Sequence, residues 1–373
     1  MIKKKKVVIP IVNRTNYSKL RSILGHLKDS LELKIILTSG AAVKELSTIE
    51  DDLIKDGYDG DITVIDSCLQ NDSHGAMVKN IAMSMIQYST FLEQENPDLV
   101  LVVGDRFDML AYAASSAIQN VPVAHIQGGE RSGTIDDKIR FSITSLSDYH
   151  FPSSLRAKNR VIECGADTSK VYNLGCPAVE HIANLRDNVS FMVDDLKKNS
   201  KRNLKYLKNS DGYILVQVHP NTTELDDVKM LELLSALKEI DLPSIILYPN
   251  IDATNKEIIG DMRKYKNENK FYYYKHFSLP TFVGLIKNFK CFIGNSSSII
   301  RESSLFGVPA INLGRRQSSR EHNSNVHTCN FDSSEILNLY NRIKNKKFGN
   351  DNLYYKVNSS KNISEKIKEI VNE

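Results

Sequence analysis

Short runs of β-branched and aliphatic residues alternate along this chain with longer amphipathic segments. KKVVIPIV reads as a first strand, and YSKLRSILGHLKDS follows it with apolar residues at helical spacing. LKIILTSG reads as a second strand. DLVLVVGD carries the unbroken apolar run of a strand buried on both faces, and an Ala-rich helix, DMLAYAASSAIQN, comes next. VPVAHIQGG is another strand. The second half repeats the rhythm. GYILVQVH, SIILYPN, KFYYYKH, CFIGN and PAINLG read as strands, and VKMLELLSALKEI, PTFVGLIKNF and SSSIIRESSLFG as helices. Such βαβ alternation predicts parallel sheets covered by helices on both faces.

The rhythm breaks near Gly175, Cys176 and Pro177. A helix-like AVEHIANLRD and a Lys/Asn-rich stretch to Ser210 follow. At 373 residues the chain is longer than one hydrophobic core usually serves. The expected fold is α/β, with two Rossmann-like domains facing a cleft. The expected boundaries are 1–177 for the first domain and 178–355 for the second. A C-terminal helix over 356–373 is expected to pack back on the first domain.

Composition narrows the function classes. Hydrophobic residues make up 41% and charged residues 25%, as in an ordinary globular protein. The net charge of +4 sits largely in Lys3 to Lys6 and in the Lys/Asn-rich tail, which reads as solvated surface and not as a nucleic-acid face. MIKKKKVVIPIV has the basic start of a signal peptide, but Pro10, Asn13 and Arg14 interrupt the apolar run, so a buried strand is expected. No apolar segment is long enough to cross a bilayer. The five cysteines are scattered without metal-ligand spacing, so reduced thiols in a cytoplasmic protein are expected, with no metal and no cofactor.

The polar motifs fall at predicted strand ends, where open α/β sheets bind ligands. NSSSIIRE, Asn295 to Glu302, follows a strand and opens a helix. Ser296, Ser297 and Ser298 there suit a phosphate held by helix N–H groups, and Glu302 suits a ribose diol; an ordinary Ser N-cap is the alternative. NLGRRQSSRE carries Arg315, Arg316 and Arg320, which suit a diphosphate or a solvated basic loop. QVHP puts His219 after one strand, and YPNID puts Asn250 and Asp252 after another. In the first half Arg14 and Ser18 stand at the first strand-to-helix turn. Neither GxGxxG nor GxxxxGK[ST] occurs, which disfavours a dinucleotide cofactor and a P-loop NTPase. VVGDRFD puts Asp105 and Arg106 after a very apolar strand. AHIQGGERSGTIDD gathers Gln127, Glu130, Asp136 and Asp137 around three glycines. Asp105, Asp136 and Asp137 can serve either as acid–base groups or as helix N-caps.

GDRFD, HIQGGERSGTIDD, LGCP, QVHP, YPNIDA, GNSSSIIRE and FGVPAINLGRRQ appear in this order over nearly the whole chain. Together they resemble the hydrolysing UDP-N-acetylglucosamine 2-epimerases, which begin sialic and related nonulosonic acid synthesis. The resemblance implies the glycosyltransferase-B arrangement of two Rossmann-like domains, with a UDP-sugar substrate and UDP product, the sugar and acid–base side in the first domain and the UDP side in the second. It assigns Ser296 and Ser297 to the diphosphate, Glu302 to the ribose, and Arg14, Ser18, His219, Asn250 and Arg316 to the nucleotide. Asp105, Arg106, Gln127, Glu130 and Asp136 fall in the catalytic part. It implies loss of the C2 proton with departure of UDP from C1, then hydration of the glycal to a free 2-epimeric sugar. A homo-oligomer, dimer or tetramer, is expected, with neither nucleic acid nor membrane as partner.

Some positions depart from the family pattern. HIQGGE stands where these enzymes commonly read HIEGGE, Val103 where a His often precedes GDR, Asn16 for the Asp of a RAD turn, and Asp148 for a His. The nucleotide half is intact and the sugar half altered. The substrate reading is therefore UDP-GlcNAc or a 2,4-diacetamido relative. The alternatives are a hydrolase or lyase acting on another UDP-sugar, or a nucleotide-sugar-binding protein with low turnover.

Overall fold

A computed structural model describes residues 4–43, 49–67, 69, 73–189, 196, 204–208, 210–221, 228–249, 255–275 and 277–373. Contacts divide the chain into two units. One comprises Met1–Glu130, Ile135–His181 and Tyr354–Glu373; the other comprises Arg131–Thr134 and Ile182–Leu353.

The first unit alternates strands β1 (Lys6–Ile11), β2 (Glu32–Thr38), β3 (Ile62–Ile65), β4 (Leu99–Val103), β5 (Val123–Ile126) and β6 (Tyr149–Phe151) with helices. These are α1 (Arg14–Leu27), α2 (Ile49–Lys55), α3 (His74–Glu95), α4 (Phe107–Ile118), α5 (Ile135–Ser145) and α6 (Leu155–Glu163); α7 (Pro177–Arg186) runs on into the second unit. All six strands are parallel, in the order β3-β2-β1-β4-β5-β6. The fully apolar LVLVV of β4 lies in the middle, buried along its whole length because helices cover both faces.

The second unit continues with α8 (Lys205–Lys208), β7 (Ile214–Gln217), α9 (Met230–Glu239), β8 (Ser244–Leu247), α10 (Asn255–Lys264), β9 (Phe271–Tyr274), α11 (Leu279–Asn288), β10 (Cys291–Gly294), α12 (Ser297–Arg301), β11 (Ala310–Leu313), β12 (Val326–Cys329) and α13 (Ser333–Ile343). Its sheet is also parallel, in the order β12-β11-β10-β7-β8-β9. Both sheets therefore have Rossmann order, with one reversal between the first and fourth strands of each.

The C-terminal helix α14 (Ser359–Ile370) returns to the first unit. Ile363, Ile367 and Ile370 enter its core, and Ser364 donates to the Ile23 carbonyl of α1 at 3.2 Å. Among the described residues no helix is long and apolar enough to cross a membrane.

One sequence expectation changes here. SSSIIRESSLFG is not a single helix. α12 stops after five residues, Glu302 caps it, and Ser303–Phe306 continues as a 3-10 turn.

Candidate active site

In a Rossmann-ordered sheet the strand direction of winding reverses at one point, and the loops leaving the two strands there diverge to open a crevice. In the first unit that point lies between β1 and β4, whose exits carry Arg14 and Asp105–Arg106. In the second it lies between β7 and β10, whose exits carry His219 and Asn295–Ser297.

Asp105 is partly exposed and forms an ion pair with Arg140, a residue of α5 that is only 1% exposed. The same guanidinium donates to the Glu130 carbonyl at 2.6 Å and to Asp137 at 3.1 Å. A buried arginine is stable only with such partners. This one ties the β4 exit, the end of the glycine-rich loop and the first turn of α5 into one charged cluster. Asp136 is the neighbouring residue in that turn. Arg140 looks like an ordinary helix-surface arginine in sequence, and only the folded chain shows its burial.

The N-cap alternative for Asp105 does not hold, since Arg106 occupies the cap position of α4 and supplies no side-chain cap. Arg106 instead donates from Nε to the buried Asp108 at 3.1 Å, and its guanidinium lies over the Phe107 ring at 4.7 Å. Ser39 donates to the other Asp108 oxygen at 2.9 Å.

Gln127 is buried, 1% exposed, with φ at +65°. Its N–H donates to the Phe151 carbonyl at 3.0 Å and its amide nitrogen to Cys176 Sγ at 3.2 Å. Its side-chain oxygen has no hydrogen-bond partner among the described residues. Gly129 makes the turn possible: φ is +75°, and a Cβ there would lie 2.3 Å from the Ala157 carbonyl oxygen. Beneath the loop, His125 is fully buried. Its Nε2 lies 2.8 Å from the Gly104 carbonyl and its Nδ1 3.2 Å from the Thr144 hydroxyl. Burial lowers its pKa to about 3, so the ring is neutral, donating from Nε2 and accepting at Nδ1. His125 thus holds the residue before Asp105 against β5.

Two departures from the family pattern have structural roles. Asn16 is buried and accepts from the Val12 N–H at 3.4 Å, inside the turn that Asn13 caps. Asp148 accepts from the Val123 N–H at 2.9 Å, at the amino end of β5, away from the ligand edge. Arg14, at the start of α1, is exposed with Asp52 3.9 Å away, and Ser18 donates to the Thr15 carbonyl at 2.9 Å. Neither is drawn into the Arg140 cluster.

In the second unit Asn295 organises the switch point. Its side chain grips the backbone of the buried His219, and its own carbonyl accepts from Arg316 at 3.0 Å. Gly294 permits this approach, because with φ at +147° any Cβ would lie 2.0 Å from the Gln217 carbonyl oxygen. Ser296 is the N-cap of α12, accepting from Ser298 N–H at 3.4 Å, and Ser297 begins the helix. His219, Ser296 and Arg316 are therefore brought together. Glu302 sits at the far end of that short helix, and Asn250 lies outside the described residues. The segment Arg131–Thr134 groups with this unit, where the Ser132 carbonyl accepts from Ser319 at 3.4 Å. Among the described residues no three His, Cys, Asp or Glu side chains are arranged to hold a metal ion.

The comparisons identify the fold and the family. The crystal structure of the UDP-GlcNAc 2-epimerase from Neisseria meningitidis bound to UDP-GlcNAc superposes with a TM-score of 0.77 at 16% identity, covering 98% of this chain and all of that one (100%). The likeness shows a shared fold, the glycosyltransferase-B class. The chain is 30% identical to a Legionella pneumophila UDP-N,N'-diacetylbacillosamine 2-epimerase (hydrolyzing), over 86% of this chain and 84% of the relative. It is also 30% identical to a Campylobacter jejuni GDP/UDP-N,N'-diacetylbacillosamine 2-epimerase (hydrolyzing), over 92% and 89%. Residues 26–368 match the family of UDP-N-acetylglucosamine 2-epimerases, and the chain is a member of that family.

Proposed function

We propose that the chain is a hydrolysing UDP-sugar 2-epimerase. It converts UDP-GlcNAc or a 2,4-diacetamido relative, with water, to UDP and the free 2-epimeric sugar. The observation that carries this reading is the Arg140 cluster. It holds Asp105 at the first switch point beside the α5 turn that bears Asp136, so carboxylates for two proton transfers stand on one edge. The two hydrolysing relatives at 30% identity support the hydrolytic outcome and the diacetamido substrate.

In this reading a carboxylate, Asp105 or Asp136, takes the C2 proton, the C1–oxygen bond breaks, and UDP leaves with the bonding pair. Water then adds to C1 of the glycal, and a proton returns to C2 from the opposite face, from a second carboxyl group such as Glu130. Ser296, Ser297, Arg316 and Arg14 take the diphosphate charge. Glu302 takes the ribose hydroxyls, and His219, Ser18 and Asn250 complete the nucleotide contacts. Arg106 steadies the β4 exit through Asp108. Gln127, buried behind the loop, orients it and presents its amide oxygen to a sugar substituent. No metal or cofactor enters. The free thiols Cys164, Cys176, Cys291 and Cys329 suit a cytoplasmic enzyme, and its product suits nonulosonic acid synthesis.

The test is incubation with UDP-GlcNAc and with UDP-2,4-diacetamido-trideoxyhexose, following nucleotide and sugar by NMR. Free UDP with a 2-epimerised free sugar is expected. Epimerised sugar still joined to UDP would make the enzyme non-hydrolysing. UDP release with unchanged C2 would make it a simple hydrolase.

A further inference from the structure

The exit of β2 is strained. Ser39, the residue after the strand, is buried and has φ at +49°. In this left-handed region a β-carbon crowds the following carbonyl oxygen, and glycine sits there without that cost. A serine holds the position all the same, and Gly40 beside it does not share the conformation. Such strain persists only where surrounding contacts impose it, and it gathers at functional sites. The contacts here are specific. Thr38, the last residue of β2, accepts from the Tyr112 hydroxyl at 2.6 Å and lies 3.0 Å from the Ser67 hydroxyl, to which Ser84 of α3 donates at 2.8 Å. The Ala41 N–H donates to the Val12 carbonyl at 3.0 Å, tying the turn to the exit of β1. The Ser39 hydroxyl donates to Asp108 at 2.9 Å. Asp108 and Tyr112 are one turn apart on α4, so two successive residues of the β2 exit are clasped by two successive turns of one helix.

The Asp108 carboxylate is only 2% exposed, and Arg106 Nε donates to its second oxygen at 3.1 Å. Arg106 itself stays 28% exposed at the β4 exit, next to Asp105. One buried carboxylate thus joins a hydroxyl on the β2 exit to a guanidinium at the switch point, although β1 lies between the two strands. These features do little for the scaffold. A buried ion pair commonly gives no more stability than apolar side chains of the same volume, and the left-handed serine is a further cost. What they do fix is direction. With Nε fastened to Asp108 and the guanidinium 4.7 Å above the Phe107 ring, the side chain is held at both its edge and its face.

We infer that Ser39 is a positioning residue of the active site, which through Asp108 fixes the direction of the Arg106 guanidinium at the β4 exit. For what Arg106 then does, the inference rests on the reaction proposed above: a cation held still at the ligand edge meets negative charge developing on the substrate without reorganising. Two substitutions set stability and turnover against each other. Ser39→Gly removes the hydroxyl and relieves the strain, so the melting temperature should hold or rise while kcat for UDP release falls at least about tenfold, on the scale of a misplaced reacting geometry. Ser39→Thr keeps the hydroxyl and adds a β-branch to a left-handed residue, so it should melt lower and retain most of the turnover. The Arg106 side chain is read directly in full-length protein labelled with 15N at arginine Nε, its signal assigned by its loss in Arg106→Lys. A distinct, slowly exchanging Nε–H resonance is expected in wild type and in Ser39→Thr, and its collapse to the solvent-exposed position in Ser39→Gly. An Arg106 signal unchanged in Ser39→Gly overturns the inference, and so does a kcat that merely follows the melting temperature across the three proteins. The configuration of the released sugar, followed by NMR, judges the proposed reaction separately. UDP release with C2 unchanged would refute epimerisation and leave the variant comparison valid, and with no UDP release at all the Nε signal alone decides.

Discussion

Asn295 grips His219 from both sides of its backbone: its side-chain oxygen accepts from the His219 N–H at 2.7 Å, and its amide nitrogen donates to the His219 carbonyl at 2.9 Å. One side chain thus locks together the two loops that part at the second switch point, and Arg316 is fastened to the same residue. Asn295→Ala leaves two buried backbone groups unpaired, at a cost of about 1–3 kcal/mol each. A lower melting temperature and weaker UDP binding by calorimetry are expected together. Asn295→Asp keeps the acceptor and loses the donor, so it should fall between. UDP affinity equal to wild type in Asn295→Ala would separate this clamp from the nucleotide.

Asp105 and Arg140 should separate chemistry from binding. Asp105→Asn is expected to keep UDP affinity and lower turnover by at least about a hundredfold, the usual scale of an acid–base contribution. Arg140→Lys keeps the charge, but one ammonium cannot span Asp105, Asp137 and the Glu130 carbonyl together. It should lower kcat while UDP affinity stays within about twofold. Steady-state kinetics beside UDP titration reads both. Unchanged turnover in Asp105→Asn removes it from the reaction.

Glu302 at the end of α12 is assigned to the ribose. Glu302→Ala should weaken UDP by about 1.5–3 kcal/mol, the loss of a charged hydrogen bond, and leave pyrophosphate affinity unchanged. Competition binding with both ligands measures this, and equal losses for the two would refute the ribose role.

Two buried histidines set a pH dependence of stability. Burial lowers His125 to about 3, with His150 and Lys19 adding to the effect and the Gly104 carbonyl opposing it; burial lowers His150 to about 4. Both lie below the ordinary value of 6.5, so the unfolded chain binds more protons in the interval. Their stabilisation is complete above about pH 6.5 and is lost as pH falls toward 4 for His150 and 3 for His125. Each contributes a slope of up to about 1.4 kcal/mol per pH unit there. Urea unfolding at pH 7, 6 and 5 should show the decline. His125→Gln should be less stable at pH 7 and show a shallower slope; an unaltered slope would mean His125 is not the source.

The sequence by itself determined most of the scaffold. The buried strands β1, β2, β4, β5 and β7–β11 announce themselves as continuous apolar runs, because a strand covered on both faces admits little else. The polar residues at their ends, Asp105, His219 and Ser296, were legible because parallel sheets offer ligands only that edge. The short or half-exposed strands β3, β6 and β12 escaped, since partial burial leaves no strong period and their stability comes from a neighbouring strand. The charged cluster was also decided by the tertiary structure alone. Arg140 in the helix IDDKIRFSITS has the spacing of a solvent-facing residue. Its burial is possible only because Asp105, on another strand exit, comes within reach. The grip of Asn295 on His219 is of the same kind, because 76 residues separate the partners and only the pairing of β7 with β10 brings them together. Local patterns encode which residues must leave water, whereas a charge or amide deep in the fold depends on partners that only the folded chain supplies.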